Sequence, residues 1–396
     1  MKLVYLDNNA TTAVAPEVLE VMLPFFKDLW GNPSSMHAFG GQVRQYVDNA
    51  RRQVADFLGA DKSEIIFTSC GTESNNMAIR GTMEAAPGRL NFITTRVEHP
   101  AVLEPARMLK DRGCNVIELD VDSSGQIDLE QLKRALGYGP ALVSIMWANN
   151  ETGVIFPIRE ITEMVKAAGG IMHTDAVQAV GKIPVDLRNI NVDLLSLSGH
   201  KLHAPKGVGA LYVRRGTRIA PLLLGGHQEG GKRGGTENVP YIVGLGKACE
   251  LAQASLASPT QRAAPNFSDE ITRVSALRDR LQKGILEKCS DVKVNGDQIH
   301  RLPNTLNISF LYIEGESILY HLSDLGIAAS SGSACTSGSL EPSHVIRAMG
   351  VPFIAAHGSI RFSLSRYNTD QDIDYVLEHL PPIIRKLRDI SPFGRT

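Results

Sequence analysis

The sequence predicts an α/β protein with a mixed, mostly parallel sheet of the doubly wound kind, on three observations. Short apolar, β-branched runs recur over the first two-thirds of the chain as IIFTS, NFITT, NVIEL, ALVSIMWAN, GIMHTDAV, DLLSLS and GALYVRR. Helix-length segments separate most of them, the alternation expected of strands joined by crossover helices. The 396 residues also exceed the usual size of a single core, which points to two domains or one large α/β unit with a satellite.

Each element has its own warrant. Positions 43, 47, 50, 54, 57 and 58 place Val, Val, Ala, Val, Phe and Leu on one helical face, so an amphipathic helix precedes the first of these runs. IIFTS leads through Gly71 and Thr72 into a second helical pattern, and GALYVRR is followed by a glycine-rich loop, GGHQEGGKRGGTEN. Residues 254 to 268, ASLASPTQRAAPNFS, loosen into Ala, Ser and Pro ahead of a charged helix. Beyond that helix the chain mixes helices with strands such as TLNISFL and SIRFSLS, so a second domain is expected to begin near 255.

Composition narrows the functional classes. Lys+Arg 41 against Asp+Glu 42 gives a formal charge of -1, which implies neither nucleic acid nor an anionic membrane as partner. No stretch approaches the roughly 18 continuous apolar residues of a membrane span, and MKLVYLDNNATT turns polar after a few residues, so a cytoplasmic protein is expected. Five cysteines, an odd number without a CxxC pair, argue against a disulfide framework or structural zinc. Cys114, Cys249 and Cys289 read as small hydrophobes. Cys335 is different, since SSGSACTSGS surrounds it with turn-forming residues; it reads either as a nucleophile or as an incidental exposed thiol.

In α/β sheets ligands gather beyond the carboxyl ends of strands, so polar residues there are candidates. Gly71 and Thr72 would offer backbone N–H groups and a hydroxyl to a phosphate, or simply cap a helix. Without GxxxxGK[ST] or GxGxxG, a nucleotide is the weaker reading. IMHTDAVQAVG sets Asp175 three residues before Gln178, as a ligand-facing pair or as a capping aspartate with a bystander. Ser198, His200 and Lys201 leave DLLSLS together, and Lys201 alone could be a surface lysine. Taken together they meet the needs of pyridoxal phosphate: an amine for the aldehyde, an anion for the ring nitrogen and a helix N-terminus for the phosphate.

YLDNNATT, WGNPSS, TESNN, EHPAV, WANNETG, HTDAVQAVGK, SGHKLHAPKG, SSGSAC and IRFSLSRYNT, in this order over nearly the whole chain, resemble the cysteine desulfurases, the nitrogen-fixation class in particular. The resemblance implies the aspartate aminotransferase type of pyridoxal phosphate fold (type I), with a large cofactor domain over 13–255 and a smaller α+β domain formed by 1–12 and 256–396. It implies that Lys201 carries the cofactor as a Schiff base, Asp175 pairs with the ring nitrogen, Gln178 touches the ring hydroxyl, and His99 stacks on the ring and moves protons. Thr72, Ser198 and His200, with the Gly71 and Thr72 amides, would hold the phosphate. Thr236 of the glycine-rich loop would reach into the other subunit's site, so a homodimer is implied.

For the substrate, Ile360, Phe362 and Leu364 share one strand face and leave Arg361 on the other, where it could clamp a carboxylate or face solvent. The resemblance favours the clamp, with Asn150 beside it and Asn9 close by. The implied reaction converts L-cysteine to L-alanine, with Cys335 attacking the substrate sulfur and keeping it as a persulfide. An iron-sulfur scaffold protein is the implied acceptor, with nitrogenase maturation as one destination, and Cys335 would meet a cluster only during transfer. His203 and His227 lack carboxylate or thiolate partners at ligand spacing, so no metal of its own is expected. Ala204 stands where the family often has glycine and Gly234 where serine is common; neither change removes a reacting group. Cys70 beside the phosphate turn reads as a packing residue or a second sulfur carrier. An aminotransferase or selenocysteine lyase on the same fold is the alternative, as is a noncatalytic adaptor, which the intact Lys201, Asp175, His99 and Arg361 set disfavours.

Overall fold

All seven apolar runs form strands, and all seven join one sheet. In chain order the strands are β1 (Val4–Tyr5), β2 (Ile65–Thr68), β3 (Asn91–Thr95), β4 (Val116–Leu119), β5 (Ala141–Ser144), β6 (Ile171–Asp175), β7 (Leu194–Ser198), β8 (Gly209–Val213), β9 (Val292–Asn295), β10 (Thr305–Phe310), β11 (Ile327–Ala328) and β12 (Ser359–Ser363). The computed structural model describes residues 2–86, 90–256, 270–331 and 342–392. Cys335 and the 257–269 stretch, where the second domain is expected to begin, lie outside the described residues.

The large sheet runs β2-β8-β7-β6-β5-β3-β4 and is parallel except at β8, which is antiparallel to both its neighbours. The exception has a simple cause. A parallel return needs a crossover of a dozen or more residues, and only the ten residues 199–208 separate β7 from β8. The strands read as continuous apolar runs because both faces are covered. Ile65, Phe67, Ile93, Val143, Leu195 and Leu197 face one core with Val43, Val47 and Leu58 of the helix Ala38–Leu58. Ile66, Phe92, Leu142, Leu194 and Leu211 face the other, against Met77 and Ile79 of the helix Gly71–Ala85 and Val102 and Ala106 of the helix Pro100–Asp111.

A separate core forms around the antiparallel sheet β12-β10-β9, which carries the helices Glu270–Lys288 and Asp370–Asp389. Leu306, Ile308, Phe310, Ile360 and Phe362 pack there with Leu277, Leu281, Val376 and Leu380. Val4 and Leu6 join this core, because β1 pairs in parallel with β11 and Asp7 bridges to Ser363. The first residues are therefore tied to strands more than three hundred positions away, and the chain then reaches the core of the large sheet at Ala15 and Val18. Val345, Ile346, Met349 and Val351 return the other way, to the core of the large sheet. No helix among the described residues is long and apolar enough to cross a membrane.

Candidate active site

Five parallel strands deliver polar side chains to one end of the large sheet. Gly71 and Thr72 follow β2, His99 follows β3, Asn150 follows β5, Asp175 ends β6 with Gln178 one turn on, and Ser198 ends β7 ahead of His200 and Lys201. This is the carboxyl edge, where the turns and helix N-termini of an α/β sheet leave backbone donors unpaired.

At the β2 end the helix Gly71–Ala85 begins without a side-chain cap from Cys70, so its first amides depend on another partner. The Ser198 hydroxyl beside them is buried and has no hydrogen-bond partner among the described residues. A Cβ at Gly71 would stand 2.8 Å from Val177 Cγ2 and 3.4 Å from Ser198 Cβ, so only glycine lets the helix start this close to β7. Free amides, a helix dipole and an orphaned hydroxyl make a cradle for an anion. His200 lies at the same edge with its Nδ1 3.2 Å from the Thr11 hydroxyl. Burial, then the charges of Lys201 and Lys206, push its imidazole down to about 4.

Asp175 is held from two sides: Asn75 Nδ2 donates to Oδ2 at 2.6 Å, and the Val177 amide donates to Oδ1 at 2.9 Å. Its carboxylate is buried and oriented, as an acceptor for a protonated ring nitrogen must be. His99 caps the helix Pro100–Asp111 by accepting the Ala101 amide on Nδ1 at 3.1 Å, which leaves the proton of the neutral ring on Nε2. Burial lowers its pKa, with Lys201 and His344 acting in the same direction and Asp175 against them.

The Lys201 amine donates to the backbone carbonyls of Asn9 and Ala10, both at 2.6 Å. Asn9 is the junction of the site. Its carbonyl also accepts Gln178 Nε2 at 2.9 Å, its Nδ2 donates to the Asn150 carbonyl at 3.1 Å and to Thr305 Oγ1 at 2.9 Å, and its Oδ1 accepts Asn304 Nδ2 at 3.1 Å. Asn9 thus offers the pocket its backbone carbonyl, while its side chain is occupied by protein partners.

Arg361 faces away from the core side chains of β12 and is 3% exposed, so it is not a solvent-facing arginine. Nη1 donates to the Asn150 carbonyl at 3.0 Å and Nη2 to Asp7 Oδ1 at 2.7 Å, while Nε is buried without a partner among the described residues. A guanidinium with one counter-ion and an unused N–H suits a carboxylate ligand. Asn150 contributes its carbonyl to this arrangement.

Two buried carboxylates stand behind these groups. Glu151 accepts the Ser343 hydroxyl, and burial raises its pKa. Glu98 accepts the Thr95 hydroxyl and the Met146 amide, both at 2.9 Å, and burial pushes it up to about 8. An unfolded glutamate titrates near 4.5, so the folded chain keeps this proton between about 4.5 and 8 and stability falls as pH rises through that window. Glu98→Gln is expected to remove the slope: between pH 5 and 8 the variant should gain melting temperature relative to the parent. Parallel melting curves for the two proteins across that range would refute this.

Thr236 stands apart, exposed, in a surface cleft lined by Phe67, Thr68, Ser69 and Gly207. The loop that carries it is fixed by Arg233 on Glu73 and by Glu229 on Arg51. Sequence reasoning missed Asn75, Asp7, Lys182, Glu98 and Glu151. Asn75 and Asp7 lie inside the TESNN and YLDNNATT motifs but carried no assigned role, and only their partners in space supply one.

With the geometry in place, comparison with known proteins adds the lineage. The family model described as Aminotransferase class-V matches residues 4–376. The chain is 57% identical over 393 residues to a protein of Nostoc sp. strain PCC 7120 named cysteine desulfurase, covering 99% of this chain and 96% of that one. A solved structure titled NifS-like protein superposes with a TM-score of 0.89 at 40% identity, covering 98% of this chain and all of the other. Another, titled SspA in complex with cysteine, superposes with a TM-score of 0.79 at 35% identity, over 92% of this chain and 99% of that one.

Proposed function

The chain belongs to the class-V aminotransferase family, and from that premise we propose that it is a cysteine desulfurase, converting L-cysteine to L-alanine with pyridoxal 5'-phosphate as cofactor. The observation that carries the reading is the Asn9 junction. One loop holds the Lys201 amine on its carbonyl and, through the Asn150 carbonyl, shares a hydrogen-bonded partner with the buried Arg361 guanidinium. An amino acid held by its carboxylate at Arg361 and by its amine on the Lys201 side would span this junction.

The residues fit the cofactor. Ser198, His200, Thr72 and the amides of Gly71 and Thr72 would hold the phosphate, which satisfies the orphaned Ser198 hydroxyl. Asp175, fixed by Asn75, would accept the ring N–H, His99 would cover the ring, and Gln178 would meet its hydroxyl. When bound, pyridoxal phosphate supplies an aldehyde for the amine and a ring that withdraws electrons from the substrate carbon. Lys201 would give and take the proton at that carbon, and Arg361 would hold the carboxylate.

Sulfur leaves through Cys335. Its thiolate attacks the substrate sulfur, the S–S bond forms as the C–S bond breaks, and the C–S electron pair stays with the carbon skeleton, which is protonated and leaves as alanine. The chain reads as two domains, 13–255 and 1–12 with 256–396, and as a homodimer in which Thr236 completes the partner's phosphate site. Its exposure and its loop anchored on Glu73 support that reading. The sulfur is passed in the cytoplasm to an iron-sulfur scaffold protein, with nitrogenase cofactors as one destination.

The test is alanine formed from L-cysteine by the parent protein and by Cys335→Ala, at equal cofactor content read by absorbance. Alanine from the parent alone is the expected result. Equal alanine from both would replace persulfide transfer with a lyase-like route, and none from either loaded protein would mean another substrate.

A further inference from the structure

The pocket holds a second lysine for which the reaction has no use. Gly181, at φ +81°, turns the chain beyond β6, and Lys182 follows it. Lys182 is half-buried as a residue, but its amine end points inward and donates to Gln178 Oε1 at 2.5 Å and, at 3.4 Å, to Asn9 Oδ1. No carboxylate is paired with it among the described residues, and its charged neighbours are the cations Lys201 and Arg361. Burial first, then these two charges, hold it well below the ordinary lysine value. A lysine placed at such cost among cations does something there that a shorter or apolar side chain would not.

Its partner shows what. The two ends of a glutamine amide have the same shape, so only the surrounding hydrogen bonds choose between its two orientations. Here the choice is forced twice: Oε1 faces the Lys182 donor and Nε2 faces the Asn9 carbonyl at 2.9 Å. Rotating the amide by half a turn would set its oxygen against the Asn9 carbonyl oxygen and take that oxygen away from the Lys182 amine. Nε2 carries two hydrogens and the Asn9 carbonyl takes one, so the amide keeps an N–H for a further acceptor and has its oxygen engaged.

We propose that Lys182 is a positioning residue: by holding Gln178 Oε1 it fixes the amide so that Gln178 can only donate, never accept, at the ring-hydroxyl side of the bound cofactor. The inference rests on the cofactor reading above. Without the Lys182 amine only the Asn9 carbonyl opposes the flip, and the population able to donate falls.

The experiment titrates apoprotein with pyridoxal 5'-phosphate and reads the dissociation constant and the visible absorbance maximum, for the parent, Lys182→Met, Gln178→Met and the double variant. Lys182→Met is expected to weaken binding about tenfold, the scale of one buried hydrogen bond, and to move the maximum. In the Gln178→Met background the same change should do nothing further. Unchanged binding and spectrum in Lys182→Met, or an equal change in both backgrounds, would overturn the positioning role. Should Lys182→Met not fold, Lys182→Gln, polar but too short to reach Gln178 Oε1, carries the same comparison. A parent apoprotein that develops no visible band with the cofactor would instead overturn the cofactor reading, and this inference with it.

Discussion

Arg361→Ala is expected to lower kcat/KM for L-cysteine by about a hundredfold to a thousandfold, the range for truncating one member of a buried, hydrogen-bonded charge pair. The guanidinium has Asp7 as counter-ion and the Asn150 carbonyl on its other arm, and its Nε has no hydrogen-bond partner among the described residues. In the proposed clamp a substrate carboxylate would supply that missing acceptor, and an alanine side chain at 361 would offer it no donor. Most of the loss should fall on KM, because the carboxylate is bound alike before and during the reaction. Arg361→Lys keeps the charge but gives up the planar fork, and should recover only part of the loss. Comparing L-cysteine with cysteamine, which lacks the carboxylate, separates the clamp from a general collapse: the parent should strongly prefer L-cysteine and Arg361→Ala should hardly distinguish them. An Arg361→Ala enzyme with the parent's KM for L-cysteine would end the assignment.

Arg361 also shows where sequence reading succeeds and where it stops. Alternation along SIRFSLS is enough to separate Arg361 from Ile360, Phe362 and Leu364, since strand periodicity is a property of consecutive residues. The same holds for the seven strands of the large sheet, each a local run of apolar side chains, and for the polar residues at their carboxyl ends. The counter-ion Asp7 lies 354 positions away, and nothing local in YLDNNATT shows that β1 and β11 bring it beside β12. Asn75 and Asp175, a hundred residues apart, pose the same problem. Lys182 is harder still, because a lysine after a glycine reads as a solvent-facing turn, and only the fold shows its amine between Gln178 and Asn9. Burial misleads in the same way at Glu98, where EHPAV points to the histidine and only the packed core beneath it makes the glutamate hold its proton. Residues that touch a ligand sit at element ends and can be found by position, whereas the residues that orient them are found only by contact.

Lys201→Ala is expected to have the largest effect of any single change, bringing alanine formation to background while leaving the apoprotein folded. Its fold should survive because Lys201 belongs to none of the three cores. It stands in the short turn between β7 and β8, and truncating it exposes the Asn9 and Ala10 carbonyls to a pocket that water can enter. Catalysis should not survive, because one amine has two tasks. In the proposed reaction it would attach the cofactor and afterwards move the proton at the substrate carbon. Lys182 is not a substitute, since its amine is committed to Gln178 and Asn9 at the edge of β6. Borohydride reduction of the loaded parent, followed by peptide mass spectrometry, should leave a pyridoxyl group on Lys201, and the same treatment of Lys201→Ala should leave none. Added methylamine should restore part of the variant's proton transfer, because a small amine can occupy the vacated space beside the Asn9 carbonyl. A modified Lys182 in the parent, or alanine formation in Lys201→Ala at the parent's rate, would move the reacting amine from the end of β7 to the end of β6, and the assignments of Asp175 and Arg361 would then have to be rebuilt around it.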